Sequence, residues 1–91
     1  MQFIKDIVWT NEKMCGEEDD MNRVQIPNVG RFTVLDRMTD FGCRDVETGF
    51  KDTDGKFWLA SGNKDVRKYP DMSIEDAVSW VKHHSNICVG I

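Results

Sequence analysis

Apolar and polar side chains alternate with a period of two between residues 31 and 61, and this pattern constrains the fold more than any other feature. Phe32 and Val34 share one face of the first predicted strand, and Asp36 is the polar exception on that face. Two further alternating segments follow, and the pair Asp54-Gly55 between them is a strong signal for a tight hairpin. The pattern predicts an antiparallel meander over residues 31–61.

One amphipathic helix is predicted after the meander. Ser73 is a good N-cap because its hydroxyl can accept a hydrogen bond from an amide of the first turn. Apolar side chains then recur at helical spacing, at Ile74, Ala77, Val78 and Val81. Residues 87–91 are too apolar for a frayed end, so we expect them to return to the sheet or dock on the core. The predicted fold is α+β, with an antiparallel meander sheet of four to five strands packed against one C-terminal helix.

Three further segments complete the expected architecture. Residues 3–9 are rich in β-branched and aromatic side chains, which predicts a strand. Residues 10–22 lack a sustained period and include a run of acids, which predicts a mobile acidic loop. Residues 63–69 are charged and are predicted to form a short edge strand. With 40% apolar and 31% charged side chains, residues 1–91 are expected to form a single compact domain.

Bulk properties exclude several classes of protein. The sequence contains no apolar stretch long enough for a membrane-spanning helix. Its first residues lack the basic and apolar regions of a signal peptide, and its three cysteines show no paired spacing, so we expect a cytoplasmic protein with reduced thiols. The formal net charge of −4 disfavours a protein that grips duplex nucleic acid through its phosphates.

Metal-binding patterns are incomplete in this sequence. His83, His84 and Cys88 lie close together, but structural zinc sites usually draw on two close ligand pairs, and no Cys-x-x-Cys is present. The segment Asp52–Gly55 resembles the start of a calcium-binding loop, yet the later bidentate glutamate is missing. We therefore expect no bound metal, and we interpret Asp52–Gly55 as a hairpin turn.

Catalytic constellations are equally incomplete. Cys43 with His83 or His84 is the one nucleophile and base pairing worth naming, but no glycine-rich elbow or oxyanion signature accompanies it. Asp45 and Glu47 share one face of a predicted strand, as charged residues on a solvated face commonly do. We expect no enzyme activity, no catalytic residues and no cofactor.

Two sets of residues are candidates for binding. An acidic run could dock a basic surface of a protein partner, and consists of Glu17, Glu18, Asp19 and Asp20. A second set interleaves cations with aromatic rings, as binders of single-stranded nucleic acid or of a small nucleotide do. Its members are Lys56, Trp58, Arg67, Lys68 and Tyr69.

The favoured interpretation is a small non-enzymatic binding protein that acts by protein–protein contact, as an inhibitor or adaptor. The alternative is a binder of single-stranded nucleic acid or a small nucleotide on an aromatic and basic sheet face. An uncovered strand at either sheet edge would also allow a homodimer. In size and in its lack of a catalytic signature, the chain resembles the small accessory proteins that phages and other mobile elements encode. This resemblance implies an interaction role and extends to no specific motif.

Overall fold

The meander predicted over residues 31–61 is present, and further strands extend the sheet beyond each of its two edges. The computed structural model describes residues 2–13, 20–60 and 64–90. Within these ranges, six antiparallel strands are hydrogen-bonded in their order along the chain. The strands and the helix are β1 (Thr10–Lys13), β2 (Asp20–Ile26), β3 (Gly30–Met38), β4 (Arg44–Lys51), β5 (Lys56–Ala60), α1 (Ile74–His84) and β6 (Ser85–Gly90). The predicted α+β fold, an antiparallel meander with one C-terminal helix, is confirmed.

The β4–β5 hairpin turns where the sequence predicts it. The Asp52 carboxylate accepts hydrogen bonds from the amides of Asp54 and Lys56, both at 2.9 Å. Gly55 has a φ of 87°, in the left-handed region that glycine enters without steric cost. The residues that resemble a calcium loop are thus accounted for by turn geometry.

The core lies on one face of the sheet. Phe32, Phe50 and Trp58 are cross-strand neighbours on β3, β4 and β5, and Trp9 packs on the end of this row. Ring centroids along the row are 6.1, 6.2 and 6.4 Å apart. Aromatic pairs at such separations stabilise a fold by more than their buried area alone, so the row stabilises the packing of β3, β4 and β5.

Helix α1 covers part of the same face, against β4 and β5. The Ser73 hydroxyl accepts a hydrogen bond from the Asp76 amide at 3.1 Å, which confirms the predicted N-cap. Ile74, Ala77 and Val81 are buried, which confirms the apolar stripe. Beyond α1 the chain pairs with β5 as β6, so the predicted return to the sheet is also confirmed.

The strand predicted over residues 3–9 is wrong. Ile4–Asp6 form a 3-10 helix, and Phe3 makes a single isolated bridge to Ser73. Amides of this helix donate to carbonyls of residues 70–72, just before α1. The β-branched residues therefore serve burial against a segment distant in sequence, which strand propensity alone cannot distinguish from strand pairing.

The loop predicted over residues 10–22 is too wide. Thr10–Lys13 and Asp20–Ile26 pair as β1 and β2, with Thr10 opposite Arg23. The Thr10 hydroxyl also donates to the Arg23 carbonyl at 2.9 Å. Because these paired segments are short and largely polar, the sequence shows no hydrophobic periodicity from which their pairing could be predicted. The remainder of the predicted loop, residues 14–19, lies outside the described residues.

The edge strand predicted over residues 63–69 is also wrong. Val66–Lys68 form a 3-10 helix, and the Asp65 carboxylate accepts a hydrogen bond from the Arg67 amide at its start. Val66 is completely buried in the core. The charged side chains of this segment therefore lie around the buried Val66, on the face of the sheet that carries the core.

Candidate functional site

A buried ion-pair network lies at the polar exception of β3. The Asp36 side chain is only 7% exposed, and its Oδ2 accepts a 2.7 Å hydrogen bond from Arg67 Nη2. Arg67 also donates to Asp65 from Nε and Nη2, both at 2.7 Å. Burial raises the pKa of Asp65, but the hydrogen bonds and charge of Arg67 outweigh burial and hold that pKa below its usual value. The hydrogen bonds that Asp65 accepts raise the pKa of Arg67.

The segment from Lys64 to Tyr69 is fixed to the sheet at several points. The Thr48 hydroxyl donates to the Lys64 carbonyl. Val66 fills the core, and Arg67 reaches Asp36. These contacts hold the segment beside the start of β4 and leave a cleft between the two, which we call the Arg44 cleft.

The Arg44 cleft carries more positive than negative charge. It consists of two hollows with volumes of about 280 and 290 Å3 that share four lining residues. Its cations outnumber its carboxylates by two, and the charged lining consists of Arg44, Lys64, Arg67 and Lys68 against Asp36 and Asp65. A positive cleft on a chain of net charge −4 concentrates anions locally.

The cations of the Arg44 cleft differ in their availability. Arg67 is committed to its two carboxylates. The Arg44 side chain is 65% exposed, and its Nη2 lies 3.4 Å from Asp36 Oδ2. Lys68 is exposed. The Lys64 ammonium sits over the Tyr69 ring at 4.5 Å from the centroid, and over Trp80 at 5.0 Å. Arg44 and Lys68 are therefore the cations best placed to meet a ligand.

One oxygen of the buried network is unsatisfied. Asp36 Oδ1 is buried and accepts no hydrogen bond from any residue that the structure describes. Buried acceptors in native proteins are almost always paired, because leaving one unpaired costs about 1–3 kcal/mol. Asp36 lines the Arg44 cleft, but this oxygen itself has almost no surface accessible from the cleft.

The predicted aromatic and basic face is divided between two places. Arg67, Lys68 and Tyr69 belong to the segment beside the Arg44 cleft, whereas Lys56 and Trp58 lie on β5. Trp58 Nε1 donates to the Asp52 carboxylate at 3.0 Å. This bond lowers the pKa of Asp52.

The Trp58 ring is occupied by neighbouring cations of the same chain. The Lys56 and Lys82 ammonium groups lie 5.1 and 5.5 Å from its centroid, and Phe50 stacks beside it. Trp58 therefore packs at the border of the core. Of the predicted set, the residues from Arg67 to Tyr69 are the ones the fold places at a cleft.

The tip of the β3–β4 hairpin exposes large apolar side chains. Phe41 is 92% exposed and Met38 is 64% exposed. The turn that carries them is tied by a hydrogen bond from the Thr39 amide to the Cys43 carbonyl at 2.7 Å, and by one from the Gly42 amide to the Thr39 carbonyl at 3.0 Å. We refer to residues 38–43 as the hairpin tip. It is an ordered turn that presents an aromatic ring to solvent.

The predicted acidic run is only partly described. Glu17, Glu18 and Asp19 lie outside the described residues, and Asp20 begins β2. Asp20 is paired with Asp36, near the end of β3. The chain therefore enters β2 at the same end of the sheet at which the hairpin tip projects.

The residues considered as metal ligands or catalytic groups are not clustered in the part of the chain that the structure describes. Among the described residues, no group of three His, Cys, Asp or Glu side chains could hold a metal ion. Cys43 is exposed in the hairpin tip, and His84 at the end of α1 has its Nδ1 2.9 Å from the Trp80 carbonyl. Within the described ranges, no helix has the length and apolar character needed to cross a membrane.

Sequence reasoning named Arg67, Lys68 and Tyr69 but missed Asp36 and Arg44 of the Arg44 cleft, and it missed the hairpin tip. The signal for the ion-pair network was present, since Asp36 interrupts an apolar face, but its partner Arg67 is distant in sequence. Arg44 was missed for the same reason, because the segment that forms the other part of the cleft is distant from it in sequence. Phe41 lies between Asp40 and Gly42, and a turn-forming context around an aromatic residue is itself a sign of exposure.

Comparison with known proteins assigns the chain to no family. No protein-family model matches the chain, and no curated protein or solved structure matches it either. Function must therefore be argued from the residues and their arrangement.

Proposed function

We propose that this chain is a non-enzymatic binding protein that acts by occupying the surface of a protein partner, as an inhibitor or adaptor. The observation that carries the proposal is the 92% exposure of Phe41 on an ordered turn. Aromatic side chains dominate the energetics of protein interfaces, and a fully exposed phenylalanine gains nothing for the stability of its own fold.

The hairpin tip has the properties of an interface anchor. Its two turn hydrogen bonds fix the backbone before binding, which limits the entropy lost when a partner closes on it. Burial of a phenylalanine side chain contributes about 1.5–3 kcal/mol. Met38, 64% exposed on the adjoining strand, would extend the apolar contact, since methionine adapts to irregular surfaces.

The chemistry of the partner follows from the neighbouring charges. Asp20, the one described residue of the acidic run, begins β2 at the same end of the sheet as the hairpin tip. A partner with an apolar pocket beside a basic patch would match both features, and electrostatic attraction would accelerate the encounter. We place this activity in the cytoplasm, where the exposed thiol of Cys43 would stay reduced.

The test compares two exposed apolar side chains in capture from a cell extract. The wild-type protein, Phe41→Ala and Val8→Ala are immobilised, and retained proteins are identified at low and moderate salt. Val8 is 79% exposed and lies outside the hairpin tip, so its truncation is the matched control. We expect one partner to be retained by the wild type and by Val8→Ala, and to be lost with Phe41→Ala.

The acidic run is tested separately. Neutralisation of Glu17, Glu18 and Asp19 to the corresponding amides should slow association with the captured partner and reduce its salt dependence. A partner retained equally by the wild type and by Phe41→Ala would contradict the proposed role of the hairpin tip. Turnover of a substrate that depends on Cys43 would contradict the proposal of a non-enzymatic protein.

A further inference from the structure

We propose that the Arg44 cleft binds a nucleoside monophosphate, with its phosphate held by Arg44 and Lys68 and its base stacked on Tyr69. This site goes beyond the proposed protein contact. It uses different residues from the hairpin tip, so either proposal can fail without the other.

The phosphate end of the site is set by cations that the fold leaves available. Arg44 is 65% exposed although its guanidinium lies 3.4 Å from Asp36 Oδ2, and Lys68 is exposed and lines the same two hollows. Arginine binds phosphate through its planar fork and lysine as a point charge. The cations that line the cleft outnumber its carboxylates by two, so net positive charge remains for an anion after the ion pairs of Arg67 and Arg44 are counted.

An aromatic surface completes the match to a nucleotide. The Tyr69 ring is 48% exposed and lines the hollow that also contains Arg44 and Lys68. The Lys64 ammonium lies 4.5 Å from the centre of this ring, so a base would stack on the part of the ring that Lys64 leaves exposed. A base can stack on such a ring regardless of its identity.

The size of the site favours a single nucleotide over a strand. Each hollow has a volume of about 280 or 290 Å3, at the lower limit of small-molecule sites. Proteins that bind single strands line a longer groove with cations along the backbone. Another cationic hollow, lined by Arg23 and Arg31, shares no lining residue with the Arg44 cleft.

The experiment is isothermal titration of the full chain at low salt with adenosine, guanosine, cytidine and uridine monophosphates. Inorganic phosphate and unphosphorylated adenosine are titrated in parallel, and an oligonucleotide is included as a strand. Arg44→Ala and Lys68→Ala remove the two cations. Lys51→Ala, on the other face of β4, removes an equal charge as the control. Far-UV circular dichroism confirms that each variant is folded.

We expect at least one nucleoside monophosphate to bind saturably, and about tenfold or more tighter than inorganic phosphate or adenosine. Lys68→Ala and Arg44→Ala should each weaken binding by about tenfold, with less than about a twofold change for Lys51→Ala. Tyr69→Ala should weaken nucleotide binding while leaving phosphate binding unchanged, and Tyr69→Phe should restore it.

Four outcomes would overturn the inference. These are the absence of saturable binding up to about 1 mM nucleotide, equal affinity for inorganic phosphate, equal loss in Lys51→Ala and Lys68→Ala, and tighter binding of the oligonucleotide than of any mononucleotide. Lys68 is exposed and makes no core contact, so Lys68→Ala remains informative if Arg44→Ala folds poorly.

Discussion

Replacement of Arg67 by methionine probes the ion-pair network most sharply. Methionine keeps most of the aliphatic packing of the side chain but removes its charge and its donors. In the native protein, Arg67 donates three side-chain hydrogen bonds of 2.7 Å to Asp65 and Asp36, whose side chains are 10% and 7% exposed. The substitution leaves both carboxylates without that partner.

The magnitude follows from the geometry. Loss of one member of a fully buried ion pair costs about 3–5 kcal/mol, but the Arg67 side chain is 25% exposed and water can partly replace it. We therefore expect the free energy of unfolding to fall by about 3 kcal/mol. Urea unfolding followed by tryptophan fluorescence should show a midpoint lowered by about 2 M. Lys68→Met, at the neighbouring exposed position, should change stability by less than about 0.5 kcal/mol.

The pH dependence gives an independent check of the same reasoning. Because the pKa of Asp65 is lowered in the folded protein, the stability it contributes is present above the unfolded pKa of about 3.9 and is lost as pH falls through the lower folded value. The difference between the wild type and Arg67→Met should thus narrow at acid pH. A difference below about 1 kcal/mol at neutral pH, or one that does not change with pH, would refute the argument.

Three other substitutions test the remaining elements. Phe32→Ala, at a completely buried ring between Trp9 and Phe50, should lower the free energy of unfolding by about 3–5 kcal/mol in urea. Gly30→Ala should prevent normal folding by circular dichroism, because Gly30 has a φ of 100° and an added Cβ would lie 1.9 Å from the Lys51 carbonyl oxygen. Asp52→Asn should lower the melting temperature at neutral pH, since the Trp58 hydrogen bond lowers the pKa of Asp52. The loss should shrink as pH falls from about 4 through the lower pKa of the folded protein.

The parts of the fold that sequence predicts correctly are those specified by local patterns. The meander over β3, β4 and β5 follows from side-chain alternation and from the Asp52–Gly55 turn, and α1 follows from its cap and stripe. Each of these signals involves residues near one another in the chain, so a single sequence contains them in full.

The parts that sequence misses depend on distant partners. Residues 3–9 resemble a strand because burial in a core and pairing in a sheet favour the same side chains. Only the backbone hydrogen bonds to residues 70–72 show that this segment is buried without sheet pairing. Asp36 is interpretable only with Arg67, 31 positions away. For the same reason, the sequence could supply Lys68 and Tyr69 as candidates but not the Arg44 cleft.

The proposed function is tested most directly by photo-cross-linking from the hairpin tip. A benzoylphenylalanine residue is placed at position 41 in one sample and at position 8 in another, and both are irradiated in cell extract. The account predicts that position 41 forms a covalent adduct with the partner captured by the wild-type protein, while position 8, which is also open to solvent at 79% exposure, does not. Adduct formation from position 8 but not from position 41 would contradict it.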